Sequence, residues 1–188
     1  MTEAEWENTI NDDNAYAKLY VGYYKKFYNY GKKFTGNTLI IEDAIQEVFL
    51  DAWAKKGKML QVRSVEAYFF SSFRYILFQK LKQNKKQPGN EGFPEEPSFS
   101  IESVLINREM HRALQVKLKI AFERLTTRQC EAVFLRFYQN LSYDQVAQVL
   151  GISVKATYKI IARSLTALRE TMVMPAAFLF YGFCLYLF

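Results

Sequence analysis

Lys155, Lys159, Arg163 and Thr166 share one edge of any helix drawn through VKATYKIIARSLTALRE (154–170). At 100° per residue the four fall within about 80° of one another. Three cations and a hydroxyl in a row suit phosphate oxygens and the acceptor-rich major groove of duplex DNA. The opposite stripe, Val154, Tyr158, Ile161, Leu165 and Leu168, is the one expected to be buried. Just upstream, LSYDQVAQVL predicts a short helix ending at Leu150, and Gly151-Ile152-Ser153 breaks it before the longer one. Short helix, three-residue break and basic second helix make a helix-turn-helix.

A second set of residues could hold unpaired nucleic acid. In EAYFFSSFRYILFQKLKQNKK (66–86), Phe70, Phe73, Leu77 and Leu81 read as inward-facing, with Phe78 at the margin of the outer side. Tyr68, Ser71, Tyr75, Gln79, Lys82 and Lys86 share that outer side. Aromatic rings interleaved with cations allow bases to stack while charge holds the backbone. The preceding loop, KKGKMLQVRS (55–64), adds Lys58 and Arg63. The alternative is that the tyrosines are half-buried against a neighbouring helix.

A third stretch, IEDAIQEVFLDAW (41–53), carries two stripes. Ile41, Ile45, Val48, Phe49 and Ala52 form a core face at helical spacing. Asp43, Gln46, Glu47 and Leu50, with Trp53 at the margin, form the other. A helix serving one core needs no second row containing a Leu and a Trp, so this face is expected to dock on a partner.

These residues must be positioned by helices, since no run of β-alternation appears in the 188 residues. Helices are expected near 12–34, 39–56, 64–84, 102–124, 127–138, 142–150 and 154–170. Thr126 with Gln129, and Ser142 with Gln145, fit capping boxes. QNKKQPGNEGFPEEPSFS (83–100) holds three of the four prolines and marks a linker. The fold class is therefore all-α: two small helical domains, 8–84 and 102–172, a linker at 85–101, and an apolar tail at 173–188.

Apolar residues make up 50% of the chain, and the net charge is +6. The charge is clustered: from Ala52 to Lys86 there are nine basic residues and one acid, Glu66. That asymmetry favours a polyanionic partner. Cys130 and Cys184 are far apart, and His111, the lone histidine, has no partner cluster. No disulfide framework, metal site or cofactor is expected, and a reducing cytoplasm fits. The acidic N-terminus lacks the apolar core of a signal peptide. An enzyme is disfavoured, because no paired carboxylates, Gly-rich phosphate loop or nucleophile with its base is visible.

Together these segments resemble a bacterial sigma factor of the sigma-70 family, in its short extracytoplasmic-function form. EDAIQEVFLDAW resembles the family's region 2.2, and LTTRQCEAVFLRFYQNLSYDQVAQVLGISVKATYKIIARSLTALRE resembles region 4. The domains would then be a region 2-like bundle and a region 4-like helix-turn-helix. The resemblance implies recruitment of core RNA polymerase to promoters, with no chemistry of the chain's own. Asp43, Gln46, Glu47, Leu50 and Trp53 would meet the polymerase β′ clamp helices, and the β flap would be a further polymerase contact. Lys58, Arg63, Tyr68, Tyr75, Gln79, Lys82 and Lys86 would face the −10 element. Lys155, Thr157, Lys159, Arg163 and Thr166 would face the −35 element, and an anti-sigma factor is a further partner of this class.

The chain departs from the family pattern in places. Region 4 opens with LTTRQ in place of a proline-containing start. Tyr158 stands for the Val of a T-V-K triplet, and Ser164 for the Ala after Arg163. In the −10-facing helix Arg74 is followed by Tyr75, Gln79 replaces an acid and Lys82 an arginine.

Two other readings compete. A stand-alone helix-turn-helix regulator explains 141–170 but leaves the second face of 41–53 without a purpose. A membrane-tethered interaction protein would use the tail AAFLFYGFCLYLF (176–188). Thirteen helical residues span roughly 20 Å, short of a hydrocarbon core of about 30 Å, so the tail reads as docking on protein or as shallow membrane contact.

Overall fold

The computed structural model describes residues 12–55, 64–85, 99–100 and 112–172. Among them all regular structure is helical. The chain divides into two compact units, Met1–Ser98 and Phe99–Phe188.

The first unit contains α1 (Asp13–Gly31), α2 (Thr38–Ala54) and α3 (Val65–Lys85). Asp12 caps α1 by accepting from the Asn14 N–H at 2.9 Å. Asn37 caps α2 by accepting from Leu39 and Ile40. These side chains satisfy donors that a helix start leaves unpaired. The core between the helices is aromatic. Phe27 lies parallel to Phe73 at 4.6 Å and meets Phe70 edge-on at 5.2 Å. Ile41, Ile45, Val48, Phe49 and Ala52 of α2 are all buried, as the spacing predicts, and Ala44 joins them. On α3, Phe70, Phe73 and Leu77 are buried as expected, with Phe69 and Ile76 beside them, while Leu81 is only half-buried.

Gly31 ends α1 where the chain turns toward α2. A Cβ there would sit 2.9 Å from Cγ2 and 3.0 Å from Cγ1 of Ile41, which is fully buried. Those carbons lie next to the Ile41 backbone and have no room to swing aside. Gly31→Ala is therefore expected to destabilise this unit by roughly 1–2 kcal/mol, even after the gain in helix propensity. Chemical denaturation followed by Trp53 fluorescence checks it.

The second unit contains α4 (Arg112–Glu123), α5 (Thr127–Val133), a π-helical turn (Phe134–Tyr138), α6 (Tyr143–Leu150) and α7 (Val154–Met172). Both expected capping boxes form, at Thr126 with Gln129 and at Ser142 with Gln145. The single helix expected over 127–138 changes to π geometry at Phe134, so that the Gln139 N–H reaches the Phe134 carbonyl at 3.1 Å. Residues 130–135 are all buried, which no one-sided α-helical pattern would signal. The stretch expected to begin the helix at 102 lies outside the described residues up to 111. Ala121, Phe122, Leu125, Cys130, Val133 and Leu168 form the core, and Phe99 packs against them. Phe99 also meets Phe134 edge-on at 5.8 Å, so the linker read from composition runs past where packing begins. Burial pushes the Cys130 thiol up to about 11, which suits a structural sulfur.

Candidate docking and nucleic-acid interfaces

The first surface is the solvent side of α2. Asp43, Gln46, Glu47 and Leu50 are exposed, and Leu50 keeps 70% of its surface in water. Trp53, at the end of the row, meets the Tyr16 ring edge-on at 4.8 Å. The Tyr16 hydroxyl donates to the Phe49 carbonyl at 2.6 Å, and burial raises its pKa to about 12. Sequence reasoning missed two parts of this surface. Leu39 is 73% exposed, and its spacing from Asp43, Gln46 and Leu50 places it on the same helical face. That spacing was readable. The second part comes from α1: Tyr16, Ala17, Tyr20 and Val21 line an open groove together with Gln46, Phe49, Leu50 and Trp53. It depends on how α1 and α2 cross, which spacing within one helix does not give.

The acids are tied to α3. Lys80 Nζ lies 2.6 Å from Asp43 Oδ2 and 2.7 Å from Glu47 Oε2. Burial works to lower the Lys80 pKa, but the two carboxylates outweigh it and the ammonium is held above its usual value. This face of α2 thus presents apolar side chains beside two carboxylates gripped by one lysine.

The second surface is the outer side of α3. Tyr75, Gln79 and Lys82 are exposed, and Tyr68 and Ser71 are half-buried. Gln79 Nε2 donates to the Tyr75 hydroxyl at 2.5 Å, which steadies that ring against solvent. The Ser71 hydroxyl is taken up by the Ala67 carbonyl at 2.7 Å. The Arg74 guanidinium lies 4.5 Å from the centre of the Phe78 ring. Lys58, Arg63 and Lys86 lie outside the described residues.

The third surface is on α7. Gly151 ends α6 in the left-handed region at φ 62°, and Ser153 Oγ accepts from the Ala156 N–H to start α7. The Arg128 guanidinium donates to the Leu150 carbonyl at 3.2 Å, supporting the turn from behind. Lys155, Lys159, Arg163 and Thr166 are exposed, as expected.

Val154 and Leu165, expected in the buried stripe, are only half-buried, and two further residues of this helix differ from expectation. Thr157 is fully buried, and its hydroxyl donates to the Ser153 carbonyl at 3.2 Å. It faces the core and not the outer edge. Tyr158, expected in the core, is 54% exposed. The buried stripe is Thr157, Ile161, Ser164 and Leu168, and the Ser164 hydroxyl donates to the Ile160 carbonyl at 2.8 Å. Thr157 therefore fills the buried slot assigned to the triplet's Val, and Tyr158 moves to the face that carries the cations. Among the described residues, no group of three His, Cys, Asp or Glu could hold a metal ion, and no helix is long and apolar enough to cross a membrane.

Comparisons with known proteins bear on the family and the fold. Residues 116–168 match the family model described as Sigma-70, region 4. The fold is similar to that of the sigma factor RpoE from Bartonella quintana, solved with the anti-sigma factor NepR. That match has a TM-score of 0.61 and 18% identity, covering 85% of this chain and 97% of the other. It is also similar to CnrH, solved with the cytosolic domain of CnrY, with a TM-score of 0.54 and 18% identity over 89% and 94% of the two chains. No curated protein sequence matches the chain.

Proposed function

We propose that this chain, which belongs to the sigma-70 family through its region 4, acts as a sigma factor that brings core RNA polymerase to chosen promoters. The observation that carries the reading is the helix-turn-helix of α6 and α7, which lies within the residues matched by the family model up to residue 168. Its second helix presents Lys155, Lys159, Arg163 and Thr166 to solvent for the −35 element. The outer side of α3, with Tyr68, Tyr75, Gln79 and Lys82, is assigned to the −10 element and its unpaired strand. The face of Asp43, Gln46, Glu47, Leu50 and Trp53 is assigned to the polymerase clamp helices. The separation of two reading units makes affinity depend on promoter spacing as well as on each contact.

The chain supplies binding and no catalysis of its own, and it works where the polymerase is, in the cytoplasm. One structural neighbour is solved with an anti-sigma factor, which supports assigning an anti-sigma factor here as a partner class. Replacing Lys159 or Arg163 by Ala is expected to weaken holoenzyme binding to a −35-dependent promoter and to lower the salt dependence by about one counterion per residue. Affinity for core polymerase should not change. Promoter binding titrated across salt concentrations checks it, and two variants with unaltered promoter binding would show that the DNA face is elsewhere.

A further inference from the structure

Tyr158 stands out on α7 because an exposed aromatic ring here is held rather than loose. Its ring lies nearly parallel to that of Tyr143 on α6, with centroids 4.0 Å apart and planes 11° off parallel. On Tyr143 the Arg136 guanidinium lies 5.1 Å from the ring centre. Arg136 is itself fixed, with Nη1 donating to the Leu141 carbonyl at 3.1 Å. The three side chains come from three successive elements of the helix-turn-helix: the π turn, α6 and α7. Cation–π and ring stacking each favour this arrangement.

On α7 the ring sits at one end of the cationic arc. Taking 100° per residue, Tyr158 lies about 60° to one side of Lys155, and Lys159 and Arg163 lie to the other. A helix lowered onto DNA by those cations carries Tyr158 into the groove with them. The ring has no charge to give a phosphate and presents apolar surface, and its stack on Tyr143 favours one orientation. In the major groove the apolar feature that distinguishes one base from the others is the 5-methyl group of thymine.

We propose that Tyr158 reads a thymine methyl in the DNA bound by α7, and that Tyr143 positions the ring for it with Arg136 behind. The inference rests on the assignment of α7 to promoter DNA made above.

The test uses holoenzyme assembled from the full chain and bacterial core polymerase, selecting from a duplex library randomised over one helical turn at the −35 position. Each selected thymine is then replaced singly by deoxyuridine, which removes only the methyl. The wild type should lose about three- to fivefold in affinity at one position, as expected for one buried methyl group. Tyr158→Ala should show no loss at that position, and Tyr158→Phe should restore it. Tyr143→Ala should shrink the same thymine-to-uridine ratio, whereas a purely stabilising tyrosine would lower the melting temperature and leave the ratio intact.

If holoenzyme assembles and selects a motif, but Tyr158→Ala keeps the wild-type ratio at every thymine, the inference is overturned and the functional assignment stands. A motif without thymine overturns it equally. Failure to assemble, or selection of no motif by the wild type, removes the functional assignment and this inference with it.

Discussion

Leu50→Asp is expected to weaken binding to core RNA polymerase by one to two orders of magnitude while leaving the fold intact. Leu50 keeps 70% of its surface in water within the row assigned to the clamp helices and lines the groove formed with Val21, Tyr20 and Trp53. An apolar anchor at the centre of an interface typically carries about 2 kcal/mol or more. A carboxylate placed there must also lose its water without a partner. The free protein bears little of this cost, because the side chain already faces solvent. A small penalty is expected from an acid near the α2 C-terminus, on the order of 0.5 kcal/mol. A titration of labelled protein with core polymerase, run beside a denaturation curve, separates the two effects. Equal polymerase affinity in variant and wild type would assign this face to some other partner.

The grip of Lys80 on Asp43 and Glu47 bears on how that face works. Both carboxylates are more than half exposed, while the lysine is mostly covered. A cationic partner must therefore share or displace an existing pair, and the net return from such surface charges is small. On the proposed assignment, affinity would be left to Leu39, Leu50, Trp53 and the apolar groove, with the acids setting orientation. The lysine also joins α3 to α2, so the helix assigned to the −10 element and the helix assigned to polymerase share an ionic contact. On the proposed assignments, docking on one face would change the electrostatic setting of the other.

Helical spacing made the two faces of α2 legible, because every buried position there is an aliphatic, aromatic or alanine side chain. Both capping boxes were legible for a similar reason, since the residue pairs that make them have few other uses at that spacing. On α7 the same method failed by one residue. Thr157 and Ser164 are polar by type, yet each returns its hydroxyl to its own helix backbone and so can be buried without an unmet hydrogen bond. Tyr158 is apolar by type, yet its partner is the ring of Tyr143 rather than the core. A hydropathy pattern reads types, and here side-chain hydrogen bonding inverted two of them and ring stacking a third. The groove on α1 and the π turn were illegible for a different cause. One depends on the crossing of two helices, and the other on a run of six buried residues that has no face at all.

Phe27→Ala is expected to cost the first unit about 3–5 kcal/mol. The ring is fully buried and parallel to Phe73, edge-on to Phe70, and within 6.4 Å of both Phe49 and Phe69. Removing it takes away the transfer free energy of a phenyl group and leaves a cavity walled by stiff rings that collapse poorly. The interaction geometry of the ring pairs is lost in addition, at about 0.5–1.5 kcal/mol for a good pair. Set against a total stability of about 5–15 kcal/mol for a domain, this leaves the unit marginal at best. Trp53 lies on α2 of the first unit, so its fluorescence follows the unfolding of that unit. A shift in denaturation midpoint worth less than about 1 kcal/mol would mean that the neighbouring rings close over the gap. Function should follow stability here. Phe49 packs against Phe27 from the same helix that displays Leu50, so loosening the core releases the docking face from its fixed angle and weakens polymerase binding without touching a contact residue.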